Sequence, residues 1–169
     1  SAEKERSVGL GVMGFHSYLQ KHSIPLESVM SKVWNKKIFK HIQEHVDQAS
    51  KDLANERGAC PDAADYGYNE RFSNKTAIAP TASISIICGG ASPGVEPVAA
   101  NSYTHKTLSG SFNVRNRYLV ELLEKHGKNN DDVWSGITTN QGSVSHLDFL
   151  TDLEKDVFKT AFELDQKWI

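Results

Sequence analysis

Three short stretches carry residue types whose spacing could do chemistry. GLGVMG, from Gly9 to Gly14, spells G-x-G-x-x-G. After a strand and at the start of a helix, such glycines let backbone approach a pyrophosphate. HIQEH, from His41 to His45, spells H-x-x-E-H. Two histidines one helical turn apart can grip zinc, with the glutamate as base. IAPTASISIICGG, from Ile78 to Gly90, runs a strand candidate into Pro80 and then offers Thr81, Ala82, Ser83, Ile84 and Ser85. Small residues let backbone N–H groups come close to an anion, and the hydroxyls add donors. A helix beginning there would turn its free N–H groups and its dipole toward negative charge. The result would be a phosphate cradle without a lysine, although an ordinary N-cap has the same chemistry.

The first two stretches fail their context tests. The residues before Gly9, AEKERSV, do not read as a buried strand. The acidic residue expected ~20 positions on has only Glu27 as a rough candidate, near Pro25. Gly9, Gly11 and Gly14 are therefore expected to permit close approach of a neighbouring element. HIQEH lies among Lys, Gln and Glu with no clear third ligand, so a solvated helix face is expected there. Cys60 and Cys88 form no C-x-x-C pair and read as free, packed thiols. His16, His22, His105, His126 and His146 form no pattern.

The chain has 169 residues, enough for about one domain at roughly 100–200 residues each. A formal net charge of −2 argues against a dedicated nucleic-acid or membrane-surface binder, which carries a basic excess. No apolar run nears the ~18 residues of a membrane span. The opening SAEKERS is too charged for a signal peptide. Two cysteines make no disulfide framework, which favours a reducing, cytoplasmic setting. The first residue is not Met, and the last segment stops inside an amphipathic pattern. The expectation is that residues 1–169 are a piece of a longer chain, or one half of a split one.

The elements that must position these residues follow from periodicity. Val8, Leu10, Val12, Met13, Phe15 and Leu19 partly fit one helix face over 7–22. Met30, Trp34, Ile38, Ile42, Ala49 and Leu53 predict a long helix over about 28–57, with Gly58 as its cap and Pro61 beyond. PDAADYGYNERFSN reads as a loop, and Thr76 to Ala79 as a short strand. A short helix is expected to open after Pro80. Tyr103 to Val114 reads as a hairpin turning at Ser109-Gly110. Helices are predicted over about 116–126 and 131–139. A last helix is predicted from Thr151, with Glu154 completing a capping box. Val157, Phe158, Ala161, Phe162, Asp165 and Trp168 would form its face.

Taken in order, IAPTASIS, GGASPGVEP, KTLSGSFNV and FKTAFELDQKW resemble the C-terminal half of the large, catalytic subunit of ribonucleotide reductase. GLGVMGFHSYLQK and LANERGACP fit the same family in the same order. The resemblance covers about 7–169. GACP and KTLSGSF look more like the class I enzymes, whereas GLGVMGF and IAPTASIS are shared with the adenosylcobalamin-dependent class II. The resemblance implies an α/β fold, with this chain supplying part of the second half of a ten-stranded α/β barrel, as a helix-rich piece with a β-hairpin. It implies replacement of a ribonucleotide 2′-hydroxyl by hydrogen through radical chemistry, for deoxyribonucleotide synthesis. In class I the substrate is a ribonucleoside diphosphate. A small subunit with a metal centre generates the radical, and thioredoxin or glutaredoxin resupplies electrons.

One family site carries over by position. The segment matching Thr81, Ala82, Ser83, Ile84 and Ser85 holds the substrate's phosphates, in agreement with the anion argument above. The family's radical cysteine sits in an Asn-x-Cys-x-Glu loop, and no such motif occurs in this sequence. Neither Cys60 nor Cys88 matches a family redox position. No catalytic residue, metal ligand or cofactor is therefore assigned to this piece, and alone it is expected to be inactive. Its expected partners are the rest of the large subunit, the small subunit, a thioredoxin or glutaredoxin and the substrate, with no nucleic acid and no membrane. Two other readings stay open: a class II piece, or a non-catalytic association module of a split reductase.

Overall fold

The computed structural model describes residues 2–108 and 110–168. The chain divides into two units. One runs up to Val12 and resumes over Lys32–Ala79; the other takes Met13–Ser31 and the chain from Pro80 onward.

The helix expected over 7–22 does not begin where the glycines are. Helix α1 is Ala2–Glu5, and the next helix, α2, is only Phe15–Lys21. Between them the backbone pairs in parallel with a distant segment. Val8 N–H donates to Asn74 O at 2.9 Å, Leu10 N–H to Lys75 O at 3.1 Å, and Ala77 N–H to Leu10 O at 3.1 Å. Leu10 and Thr76 form a parallel bridge, so the strand candidate at Thr76 has its partner in the glycine stretch. A Cβ on Gly11 would lie 2.5 Å from Ala77 O, and one on Gly9 3.0 Å from Ala77 Cβ. The glycines do serve close approach, but of extended backbone rather than of a helix.

Helix α3, Val29–Arg57, matches the expected long helix. Its carbonyl end is closed by Gly58, left-handed at φ 81. Arg71 Nη1 donates to Arg57 O at 3.0 Å and to Gly58 O at 3.1 Å. Two carbonyls that the helix cannot satisfy internally thus meet a cation, which also suits the negative end of the helix dipole. The expected loop after Gly58 opens instead with α4, Pro61–Asp65. Pro61 fits the first helical turn because its missing N–H would have no partner there. Cys60 is buried as expected, while Cys88 is exposed and not packed. Lys75 Nζ lies 2.6 Å from Asp47 and 3.2 Å from Glu70, pairing the 74–77 segment to α3.

The second unit holds the main hydrophobic core. Helices α6 (Arg117–Lys125), α7 (Asp131–Thr139) and α8 (Asp152–Val157) bury Leu119, Leu123, Trp134, Ile137 and Val157. Each side chain removed from water contributes about 1.5–3 kcal/mol. Each of these helices has a side-chain N-cap. Asn116 accepts from Tyr118 N–H, Asn130 from Val133 N–H, and Thr151 with Glu154 forms a complete capping box. Strands β1 (Ser102–Thr107) and β2 (Gly110–Arg115) form the antiparallel hairpin, with Ser102 opposite Arg115 and Thr107 opposite Gly110. Ser109, half of the expected turn, lies outside the described residues.

The last helix stops at Val157, well short of Trp168, and the reason is long-range. In a continuing helix Phe158 O would accept from Phe162 N–H, but the Asn101 side-chain amide donates to it at 2.7 Å. Ala161 N–H turns to Val98 O at 2.9 Å. Glu163 then accepts from Thr160 N–H and Oγ1, both at 2.8 Å. Asp165 N–H donates to Glu27 at 2.8 Å, and only a 3-10 turn, Gln166–Trp168, follows. Among the described residues no helix is long and apolar enough to cross a membrane.

His16 is fully buried in α2, and its Nδ1 accepts the Val98 N–H at 3.0 Å. Burial lowers its pKa from 6.5 to about 4. The unfolded chain therefore takes up this proton first, and stability falls as pH drops through the window between those two values. The loss is on the order of 3 kcal/mol. Urea unfolding at pH 7 and pH 4.5 will show it. His16→Asn, which keeps an acceptor but cannot titrate, will have a visibly shallower pH dependence. Separately, Gly11→Ala will lower the thermal midpoint by several degrees, from overpacking worth about 1–3 kcal/mol.

Candidate functional site

Helix α5, Ala82–Ile87, opens at Thr81, whose backbone is left-handed at φ 52. The Thr81 hydroxyl does not cap its own helix. It accepts the Gly94 N–H at 2.8 Å instead. Among the described residues, the N–H groups of Ala82, Ser83 and Ile84 consequently have no acceptor. Ala82, Ser83 and Ile84 are exposed, Thr81 is half-buried, and Ser85 is buried. Ser85 Oγ donates to Ala82 O at 2.9 Å, so that hydroxyl braces the first turn from within.

Of the five expected cradle residues, Ala82, Ser83 and Ile84 present open amides. Thr81 and Ser85 hold the turn in shape. Helix α5 carries no acidic residue in its first turn, so no carboxylate of that turn repels an anion.

Helix α2 fixes this segment. Ser17 N–H donates to Ser92 Oγ at 3.1 Å, and Ser92 N–H donates to Ser17 Oγ at 2.8 Å. Gly14 N–H donates to Ser92 O at 2.9 Å. The loop so held presents Gly94 to Thr81. On the other side of that loop, Gly90 and Ala91 N–H both donate to Ser85 O. Gly14, the third glycine of the opening motif, sits at the α2 N-cap with φ 85. A Cβ there would lie 3.6 Å from Ala91 Cβ.

A cavity of about 420 Å³ adjoins α5. Ala82, Ser85 and Ile86 line it from the helix, and Tyr103, Arg115 and Arg117 from the hairpin and the start of α6. Arg115 is paired with Asp131 at 3.0 Å, and its guanidinium lies 4.9 Å from the Trp134 ring. Arg117 donates to Tyr118 OH at 2.6 Å. Sequence reasoning did not single out these arginines. The only signal was their place directly after the KTLSGSFNV stretch.

The remaining candidates fall elsewhere. Among the described residues no three His, Cys, Asp or Glu side chains are grouped to hold a metal ion. Both histidines of HIQEH are exposed on α3. His126 pairs with Glu154 at 2.9 Å beside the α8 capping box.

The family model described as "Ribonucleotide reductase, barrel domain" matches residues 1–70 and 62–169. The ribonucleoside-diphosphate reductase large subunit of Invertebrate iridescent virus 3 is 47% identical over 98% of this chain and 26% of its own length. The vitamin B12-dependent ribonucleoside-diphosphate reductase of Thermoplasma acidophilum is 31% identical over 96% of this chain and 22% of its own length. Among solved structures, the class Id ribonucleotide reductase alpha subunit of Actinobacillus ureae superposes with a TM-score of 0.84 at 41% identity, covering 94% of this chain and 28% of that one. The chain thus spans about a quarter of the length of these relatives. Its helices and two-stranded hairpin are part of the reductase α/β barrel, and the chain belongs to the ribonucleotide reductase family.

Proposed function

We propose that this chain is the phosphate-anchoring piece of a ribonucleoside-diphosphate reductase large subunit. The complete subunit reduces ribonucleoside diphosphates to deoxyribonucleoside diphosphates. In this reading the open N–H groups of Ala82, Ser83 and Ile84 take the diphosphate oxygens, and the Ser83 hydroxyl adds a donor. Thr81 and Ser85 keep the turn in place. The observation that carries the reading is this run of three unpartnered amides on an exposed turn braced from behind. Hydrogen bonds to a charged acceptor contribute about 1.5–3 kcal/mol each. Binding energy gathered at the phosphate end, remote from the chemistry, orients the reacting ribose carbons.

The radical cysteine and the redox cysteines belong to other parts of the complete subunit. This piece holds no cofactor in this reading. The radical-generating metal centre sits on a small subunit, electrons come from a thioredoxin or glutaredoxin, and the setting is cytoplasmic. Identity favours the class I branch: 47% with a viral diphosphate reductase large subunit and 41% with a class Id alpha subunit, against 31% with a vitamin B12-dependent relative. Activity of the full assembly with a small subunit, and without adenosylcobalamin, separates the branches.

In the complete subunit, Ser83→Phe will block approach to the amides and weaken ribonucleoside-diphosphate binding by roughly tenfold to a hundredfold. The thermal midpoint will be little changed, because Ser83 is exposed. Equilibrium binding of the diphosphate checks it, and an unchanged Kd rejects the cradle.

A further inference from the structure

The HIQEH stretch is not absorbed by the reductase reading, and its two imidazoles are not independent of one another. His41 and His45 stand one turn apart on α3, their ring centroids 4.1 Å apart and their planes 44° from parallel. Both are exposed. His45 Nδ1 lies 2.8 Å from His41 O. A carbonyl oxygen can only accept, so the Nδ1 of a neutral His45 carries the hydrogen. That leaves the Nε2 lone pair as the free donor to a ligand. Metal-bound histidines are commonly oriented in this way, one ring N–H given to a carbonyl and the other nitrogen to the metal.

From these observations the geometry points to a two-histidine surface site on α3 for a borderline divalent transition-metal ion such as Ni²⁺, Cu²⁺ or Zn²⁺. Imidazole suits these ions, and carboxylate- and water-preferring Mg²⁺ or Ca²⁺ would not compete. Metal–nitrogen bonds of about 2.0–2.1 Å hold two adjacent donors roughly 3 Å apart. Rings already in contact reach that separation with small side-chain rotations. Because no third His, Cys, Asp or Glu completes the group among the described residues, water fills the other positions. The neighbouring charges leave the pair open. Lys37 Nζ lies over the Trp34 ring at 4.8 Å, and Lys40 pairs with Glu44 at 3.7 Å. The site is a chelating clip across one helical turn rather than a hydrolytic centre, and it is separate from the α5 cradle in sequence and in chemistry.

The test is calorimetric titration of the full, untagged chain with NiCl₂ and with ZnCl₂. The chain is compared with His41→Ala, His45→Ala and, as a control, His126→Ala. Circular dichroism confirms that each variant is folded, and exposed helix positions tolerate alanine. The expected result is one bound ion per chain. Affinity falls at least tenfold in either α3 variant and is unchanged in His126→Ala, and MgCl₂ gives no binding. A rise in thermal midpoint with NiCl₂, lost in both α3 variants, gives a second readout. Native affinity retained in His41→Ala or His45→Ala overturns the assignment, as does loss of binding only in His126→Ala.

Discussion

Asn101 has no exposed surface and yet engages all of its polar atoms. Its side-chain amide donates to Gly142 O at 2.9 Å and Phe158 O at 2.7 Å, and its side-chain oxygen accepts from Asn116 Nδ2 at 2.9 Å. Its backbone N–H donates to Gly142 O at 3.2 Å, and its backbone oxygen takes the Asn116 N–H at 2.8 Å. One residue thereby ties the entry to β1, the cap of α6, the turn after α7 and the end of α8. Removing the side chain would strand several buried groups, each at a cost of about 1–3 kcal/mol. Gly142 completes the arrangement. A Cβ there would lie 2.7 Å from Ala100 Cα, and its φ of 83 suits glycine.

Around α5 the bracing is neutral throughout. The Ser17–Ser92 exchange, the Thr81–Gly94 bond and the His16–Val98 bond involve no charged partner at ordinary pH. Lys159 pairs with Glu27 at 2.9 Å. The Lys159 ammonium, then the Asp165 N–H, hold the Glu27 carboxyl below its usual range. A turn held by uncharged bonds keeps its shape when salt or a charged ligand changes the local field, since screening weakens exposed ion pairs and leaves neutral hydrogen bonds alone.

Features written in adjacent residues were readable from the sequence. Thr151 with Glu154 at the start of α8 and Gly58 after α3 each act on their own neighbours. Features set by distant partners were not. The periodicity from Val157 to Trp168 is real, but Asn101 captures the carbonyl needed to continue the helix. The glycine stretch looked helical because its extended form is fixed by 74–77. At the candidate site, the residue types raised the expectation of an anion cradle. That Thr81 turns its hydroxyl to Gly94, and Ser85 its hydroxyl inward, depends on a loop anchored through α2. His16 gave no sign of burial, since a single histidine on a short helix has no pattern.

The parallel pairing of the glycine stretch with 74–77 has a further consequence. Ser7 and Ser73, which meet at 3.1 Å, are separated by 66 positions. Parallel neighbours cannot be joined by a tight turn and need a long crossover, which here includes the whole of α3. During synthesis the early segment must wait, its backbone donors and acceptors bare, until the later one has left the ribosome. Local helices can form meanwhile, but this ribbon is the late-closing step, and the interval is when the nascent chain is most open to pairing with a wrong neighbour.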